Sequence, residues 1–317
     1  MKTLSFNNDD QMPMIGLGTW KSKPGEVHDA VLTALKTGYR HIDCAPIYGN
    51  EAEVGQAIQQ AIRDGVLKRE ELWVTSKLWN DAHRQADVIP ALKKTLSDLQ
   101  LDYLDLFLIH WPVVLKQGVM FPDGPEDFLS LEEVPVSETW AAMEAVVDEG
   151  LARHIGVSNF KLDRVRQLVE QARIKPEMNQ VELHPHLPQE GLVKGCQDMG
   201  VHLTAYSPLG SKDRSSAIKK DDEPSLLEHP AIRRVAKKRN CTVGQALISW
   251  AVHRGTAVIP KSTNAGRIQE NLKSVEVELS LEDMQYIGQI GPDYRFVDGS
   301  FWAMDGSPYS MADLWDR

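Results

Sequence analysis

Asp43, Tyr48, Lys77 and His110 are together the residue types that suit protonation of an oxygen as it gains negative charge. A phenol ordinarily ionises near pH 10, too high for easy proton donation at neutrality. An ammonium about 4 Å away would favour phenolate by roughly 4 kcal/mol at an effective dielectric of about 20. That lowers the phenol by about three pKa units at most. The expected roles are therefore Tyr48 as acid, Lys77 as its tuner, Asp43 as the anchor of Lys77, and His110 as the donor that orients the substrate oxygen. Asp43 also offsets part of the field that Lys77 exerts.

These four groups become neighbours only if a fold delivers them to one place. Residues 3–6 and 12–15 flank Asn8-Asp9-Asp10 and predict an N-terminal β-hairpin. After it, short apolar strands alternate with amphipathic helical patterns. The strands fall at 15–18, 40–43, 72–77, 104–110, 154–157, 178–183, 201–205 and 256–259. One of the helices is expected to start near Pro90. Eight such units in one chain predict a single α/β domain over 1–317, a (β/α)8 TIM barrel with long loops at its C-terminal face. That face collects Trp20, Asp43, Tyr48, Lys77, His110, Ser158, Asn159, Gln180, Tyr206, Ser207, Lys261 and Ser262 from successive strand ends. Residues 113–137 read as irregular, and 211–230, which contain Lys219-Lys220-Asp221-Asp222-Glu223, as a second long loop, for which a merely solvated charged loop is as good a reading. The tail from 291 to 317 has no clear period. It carries aromatic residues and only two cations, Arg295 and Arg317.

Over nearly its whole length the chain resembles the aldo-keto reductases of the aldose and aldehyde reductase type. The matching stretches are Ile15-Gly16-Leu17-Gly18-Thr19-Trp20, residues 38–48, Lys77, Ile109-His110-Trp111-Pro112, Ile155-Gly156-Val157-Ser158-Asn159-Phe160, Asn179-Gln180, Ala205-Tyr206-Ser207-Pro208-Leu209-Gly210 and Ile259-Pro260-Lys261-Ser262. The family tetrad falls on Asp43, Tyr48, Lys77 and His110 without substitution. A histidine at 110, where some relatives have glutamate, implies reduction of a carbonyl rather than of a carbon–carbon double bond. The resemblance also implies a nicotinamide cofactor. Ser158, Asn159 and Gln180 would hold its carboxamide and Tyr206 would stack on its ring, while Lys261, Ser262, Thr263, Arg267 and Asn271 match the adenosine end. Thr19, Trp20, Asp43, Ser207, Leu209, Ser211 and Glu270 complete the expected cofactor set, with the loop from Ser211 folding over the pyrophosphate. Two cations, Lys261 and Arg267, suit a 2′-phosphate and so NADPH. The small-molecule carbonyl substrate is expected against Trp20, Tyr48, Trp79, His110, Trp111 and Trp302, although Trp79, Trp111 and the tail aromatics also suit a core. Sugar aldehydes are among the possible substrates. A monomer is expected from the family.

Composition excludes several other classes. The formal net charge is -10 and the pI about 5.5, with no basic stripe, which disfavours nucleic acid or an anionic membrane as partner. The first ten residues lack the apolar run of a signal peptide, and no stretch is apolar for long enough to span a bilayer. Three distant cysteines, Cys44, Cys196 and Cys241, read as reduced thiols of a cytoplasmic protein, with Cys44 a packed thiol rather than a nucleophile. His184-Pro185-His186 invites a metal reading but lacks partners at suitable strand ends, so no metal is expected. Gly16-Leu17-Gly18 lacks the third glycine of a dinucleotide fingerprint. Two other function classes stay in view: a cofactor-binding regulatory subunit, and a metal-dependent barrel hydrolase.

Overall fold

The computed structural model describes residues 2–214, 219–220 and 222–315. In chain order its strands are β1 (Thr3–Ser5), β2 (Gln11–Pro13), β3 (Leu17–Gly18), β4 (His41–Asp43), β5 (Trp73–Leu78), β6 (Leu104–Ile109), β7 (Val114–Leu115), β8 (Phe128–Leu129), β9 (Ala152–Ser158), β10 (Met178–Glu182), β11 (His202–Tyr206) and β12 (Ala257–Val258). The helices are α1 (Glu26–Thr37), α2 (Glu51–Arg63), α3 (Gln85–Leu99), α4 (Val136–Asp148), α5 (Leu162–Gln171), α6 (Glu190–Asp198), α7 (Pro230–Lys238), α8 (Val243–His253), α9 (Ala265–Leu272), α10 (Leu281–Gly288) and α11 (Met311–Leu314).

Eight strands pair in the order β3-β4-β5-β6-β9-β10-β11-β12, each parallel to its neighbour. Bridges from Ile15 to Val258 and from Gly18 to Lys261 join the two edges, and the Gly16 N–H donates to Val258 O at 2.9 Å. The sheet thus closes into the expected (β/α)8 barrel. Every residue of β5 and β6 is buried, because helices cover the outside and side chains fill the inside. The helices turn a stripe of Val, Ala and Leu to the sheet; in α1 it is Val27, Ala30, Val31, Ala34 and Leu35.

The hairpin β1–β2 closes the bottom of the barrel. His154 binds Glu177 through Nδ1 at 2.7 Å and Asp10 through Nε2 at 3.0 Å, and its ring stacks on Trp73. Burial pulls the pKa of His154 down, but the Glu177 and Asp10 carboxylates outweigh it and hold the group above its ordinary value. At the other end a second cluster joins Trp79, Trp111, Val113, Leu115, Phe128, Val297, Trp302, Tyr309 and Leu314. It is built by the segments after β5 and β6 and by the tail, so the mouth of the barrel is walled with aromatic rings.

Three local expectations change. The helix expected to start near Pro90 begins at Gln85, with Pro90 inside it. Proline there deletes a bond to the carbonyl four residues back, that of Ala86, which lies in the exposed first turn of the helix. Residues 113–137 are not wholly irregular: β7 and β8 pair antiparallel, with Val114 opposite Leu129. The tail, without period in sequence, forms a short turn at Ser300–Trp302 and then α11, capped by Ser310 and Asp313. Asp221 of the charged loop and Arg317 of the tail lie outside the described residues.

Candidate active site

Register explains the first contact. Asp43, the last residue of β4, lies opposite Thr75 of β5; Lys77, two residues on, shares that face one step nearer the rim. Lys77 Nζ donates to Asp43 Oδ1 at 2.6 Å and to Cys44 O at 2.8 Å. Both side chains are essentially buried, at 1% and 2% exposure. Burial lowers the Lys77 pKa, but the Asp43 carboxylate and the Tyr48 oxygen outweigh it, so the group stays an ammonium. Across the barrel, Gln180 Nε2 donates to the other Asp43 oxygen at 2.7 Å. Thr19 Oγ1 donates to Asp43 O at 2.8 Å.

Tyr48 ends a short turn, Pro46–Tyr48, beyond β4. Its hydroxyl lies 3.4 Å from Lys77 Nζ, a long hydrogen bond. Burial pushes its pKa up to about 12; the Lys77 charge opposes the rise and Asp43 blunts that opposition. The expected lowering by Lys77 is therefore not the net result. Lysine's pull is weaker than the cost of charging a phenol in this wall, so Tyr48 rests as a neutral phenol.

His110 follows β6, with its edge toward Tyr48 and its ring against Trp79, the centroids 6.0 and 5.0 Å apart. Burial, Lys77 and His83 hold its pKa well below the usual value, so the ring is neutral. Its Nδ1 is buried without a partner among the described residues, and a proton there would be stranded. The ring hydrogen therefore belongs on Nε2, which is left to the cleft.

The cleft, about 1120 Å³ and open to solvent, is lined by Thr19, Trp20, Asp43, Tyr48, Trp79, His110, Trp111, Ser158, Asn159, Gln180, Tyr206, Ser207, Leu209, Ser211, Lys261 and Trp302 among the expected residues. Lys77 stands behind Asp43 and Tyr48 rather than on the surface of the cleft. Trp302 lines the cleft while packing with almost no exposure against Trp79, Trp111, Phe121 and Phe301. Ser262, Thr263, Arg267, Glu270 and Asn271 do not line it. They lie just before α9 and along it, past Lys261, where Arg267 Nε lies 3.4 Å from Ser262 Oγ and Thr242 Oγ1 donates to Glu270 Oε1 at 2.7 Å. The residues not anticipated include Lys21, Ile47, Phe121, Asp213, Val297 and Phe301. Lys21, next to Trp20, was legible as a rim cation; Phe121, Val297 and Phe301 were not, because their loops carry no period that fixes a direction.

A chain of polar groups crosses the floor of the cleft. Tyr206 OH donates to Asn159 Oδ1 at 2.8 Å, Asn159 Nδ2 donates to His110 O at 2.9 Å, and Ser158 Oγ donates to Gln180 O at 2.8 Å. Of the seven non-glycine residues with positive φ among the described residues, Lys21, Asn159 and Ser207 lie at this cleft, as expected where backbone strain serves a site. Above one end, Lys21 reaches Ser211 at 2.8 Å and also binds Asp213, which lies 3.4 Å from Lys261. Two ammoniums thus share one carboxylate over the cleft. Burial lowers the Lys21 pKa, and the nearby charges of Lys261 and Arg214 add to that. A site with surplus positive charge above, amides below and an aromatic ring beside them fits a dinucleotide with a pyrophosphate and a carboxamide.

Burial raises all three thiols, which leaves no reactive thiolate. His184 is held by Glu182 at 2.8 Å. Among the described residues no group of three or more His, Cys, Asp or Glu side chains is placed to hold a metal ion, and no helix is long and apolar enough to cross a membrane.

Comparison with known proteins agrees with this geometry. The model of the Aldo/keto reductase family matches residues 14–292. An aldo/keto reductase of Synechocystis sp. is 50% identical over 317 residues, 100% of this chain and 97% of that one. The human aldo-keto reductase family 1 member A1 is 46% identical over 294 residues, 92% of this chain and 90% of its own. Among solved structures, the aldose reductase of Schistosoma japonicum superposes with a TM-score of 0.83 at 43% identity, covering 91% of each chain. A closed eight-stranded barrel, a buried Asp–Lys pair beside a tyrosine at its mouth, and a family match over most of the length lead to one conclusion: the chain belongs to the aldo/keto reductase family, oxidoreductases that act on carbonyl groups.

Proposed function

We propose that the protein reduces aldehydes or ketones to alcohols with NADPH, and that Tyr48 donates the proton. The observation that carries this is the convergence of a neutral phenol, a buried ammonium and a neutral imidazole on one apolar cleft. The chemistry that a nicotinamide dinucleotide supplies when bound is a hydride for the carbonyl carbon. The chain's own groups do the rest. His110 donates from Nε2 to the carbonyl oxygen and orients it. As that oxygen gains negative charge it becomes a stronger base than phenolate, and Tyr48 gives up its proton despite the raised pKa. The Lys77 ammonium then stabilises the phenolate left behind, and Asp43 with Gln180 keeps Lys77 in place. Trp20, Trp79, Trp111 and Phe121 exclude water and favour an apolar or aromatic body on the substrate.

Ser158, Asn159 and Gln180 would hold the carboxamide, Tyr206 the ring, and Lys21 and Ser211 the pyrophosphate end. Thr19, Ser207, Leu209 and Glu270 complete the set. Lys261 and Arg267, the latter with no carboxylate partner among the described residues, and their neighbours Ser262, Thr263 and Asn271 suit a 2′-phosphate. This is the reason to favour NADPH over NADH. One domain, acting as a monomer in the cytoplasm, is the simplest setting for three unreactive thiols and an acidic surface.

The test is cofactor consumption on a panel of aldehydes. NADPH should give the higher kcat/KM, and equal values for NADH would remove the phosphate argument. Tyr48→Phe should lower kcat by roughly 10²–10⁴-fold while NADPH binding stays nearly unchanged. Normal turnover in that variant would refute the role of Tyr48.

A further inference from the structure

Glu182 ends β10, two residues past Gln180, and its side chain is wholly buried. It is not an expected site residue and does not line the cleft. Its Oε1 accepts the Phe296 N–H at 2.6 Å and meets His184 Nε2 at 2.8 Å. Its Oε2 accepts the Val297 N–H at 2.7 Å. A carboxylate in this position would be costly without donors, and two consecutive amides of the tail supply them.

Those amides sit where the tail has no other regular structure. Between the end of α10 and the turn at Ser300, its backbone pairs with no strand. The grip on Phe296 is two-sided. Its N–H goes to Glu182, and its carbonyl accepts from the Arg214 guanidinium, whose Nε also donates to Ser211 O at 3.2 Å. The Phe296 ring packs on His184 at 4.9 Å. Immediately beyond lie Val297, Phe301 and Trp302, which line the cleft together with Trp79 and Trp111.

We propose that Glu182 is the positioning residue that holds the tail wall of the substrate pocket, and thereby sets which carbonyl compounds the site accepts. The proposal rests on the carbonyl-reduction reading above. Freed from Glu182, the segment through Val297 and Phe301 loses its fixed distance from His110 and Trp111. Bulky aromatic aldehydes, which need that wall, lose binding. A short aliphatic aldehyde, held by Tyr48 and His110 alone, does not.

Glu182→Gln tests this, because it keeps the shape but turns an NH₂ group toward one of the two amides. For a two-ring aromatic aldehyde, kcat/KM should fall roughly tenfold or more, through KM. For a short aliphatic aldehyde it should change by less than about twofold, and the Kd for NADPH should hold. Amide hydrogen exchange of residues 294–302 should speed up while that of residues 41–48 stays as in the parent. An equal loss for both aldehydes, or unchanged exchange in the tail, would overturn the proposal. If the Gln variant does not fold, Glu182→Asp, which keeps the charge but shortens the reach, should show the same split in smaller measure, and its absence counts against the proposal equally. If the parent reduces neither aldehyde, the carbonyl-reduction reading fails, and the exchange comparison still decides whether Glu182 holds the tail.

Discussion

Asp43 and Lys77 are an ion pair closed off from solvent, and that makes their balance brittle. Removing one partner leaves a buried charge uncompensated, which costs about 3–5 kcal/mol. Lys77→Met should therefore destabilise the protein by that order in urea unfolding. Asp43→Asn with Lys77→Met should be milder than Lys77→Met alone, since no charge is then stranded. Neither variant should reduce carbonyls, because Tyr48 loses the ammonium beside it. If the double variant is as unstable as the sum of the two single ones, the pair is not coupled as its geometry implies. The phenol at 48 shows why residue type alone misleads on magnitude. Proximity to a lysine argued for a lowered pKa; burial reverses the sign, and burial is a property of the assembled wall.

At the scale of elements, the barrel depends on close approach of its outer helices. A Cβ on Gly55 of α2 would lie 2.6 Å from the backbone at Asp98 and Leu99, the end of α3. Backbone cannot yield as a side chain can, so Gly55→Ala should cost about 1–3 kcal/mol. Gly191 in α6 meets nothing within 4 Å, and Gly191→Ala should gain up to about 1 kcal/mol from helix propensity. Urea midpoints of the two variants should move in opposite directions; a shift of the same sign would contradict the packing described. The strap over the cleft is another joint between elements. Lys21 comes from the loop after β3, Asp213 from the loop after β11 and Lys261 from the end of the barrel's last strand, so three separate connections meet over one end of the cleft.

For the molecule as a whole, pH reports how many histidines the fold buries neutral. Burial lowers His41 to about 4, His83 to about 3 and His186 to about 4, with neighbouring histidines adding to the shift at His186. A histidine whose folded pKa is depressed lets the unfolded chain take up protons first. Stability from these three groups is therefore lost as pH falls from about 6.5 toward 4. His154 has the opposite sign: its contribution is full below the ordinary pKa and disappears as pH rises through its raised value. Glu51, raised to about 7 by burial, also runs against the three, since stability falls there as pH rises. The difference between a variant and its parent isolates one group. His83→Phe should be less acid-sensitive than the parent by about 2–3 kcal/mol near pH 4.5, measured by urea unfolding across pH. Parallel pH profiles would show that His83 does not carry this lability.

Alternation of apolar strands with amphipathic helices determined the barrel, because a parallel strand covered on both sides must be apolar and its crossover must be helical. The ends of those strands determined most of the polar groups at the mouth, since a strand's last residue can only lie at the rim. Asp43, Lys77, His110 and Ser158 were legible for that reason; Gln180, inside β10, was read as a site residue through the family resemblance. What the tertiary structure alone decided is whatever rests on packing between distant segments. Phe121, Val297 and Phe301 reach the cleft through loops without period, and Glu182 grips amides more than a hundred residues away. Local pattern sets the direction of a side chain along a strand or helix; it carries no information on where an irregular segment crosses the barrel mouth, nor on how much water is left around Tyr48 once it has done so.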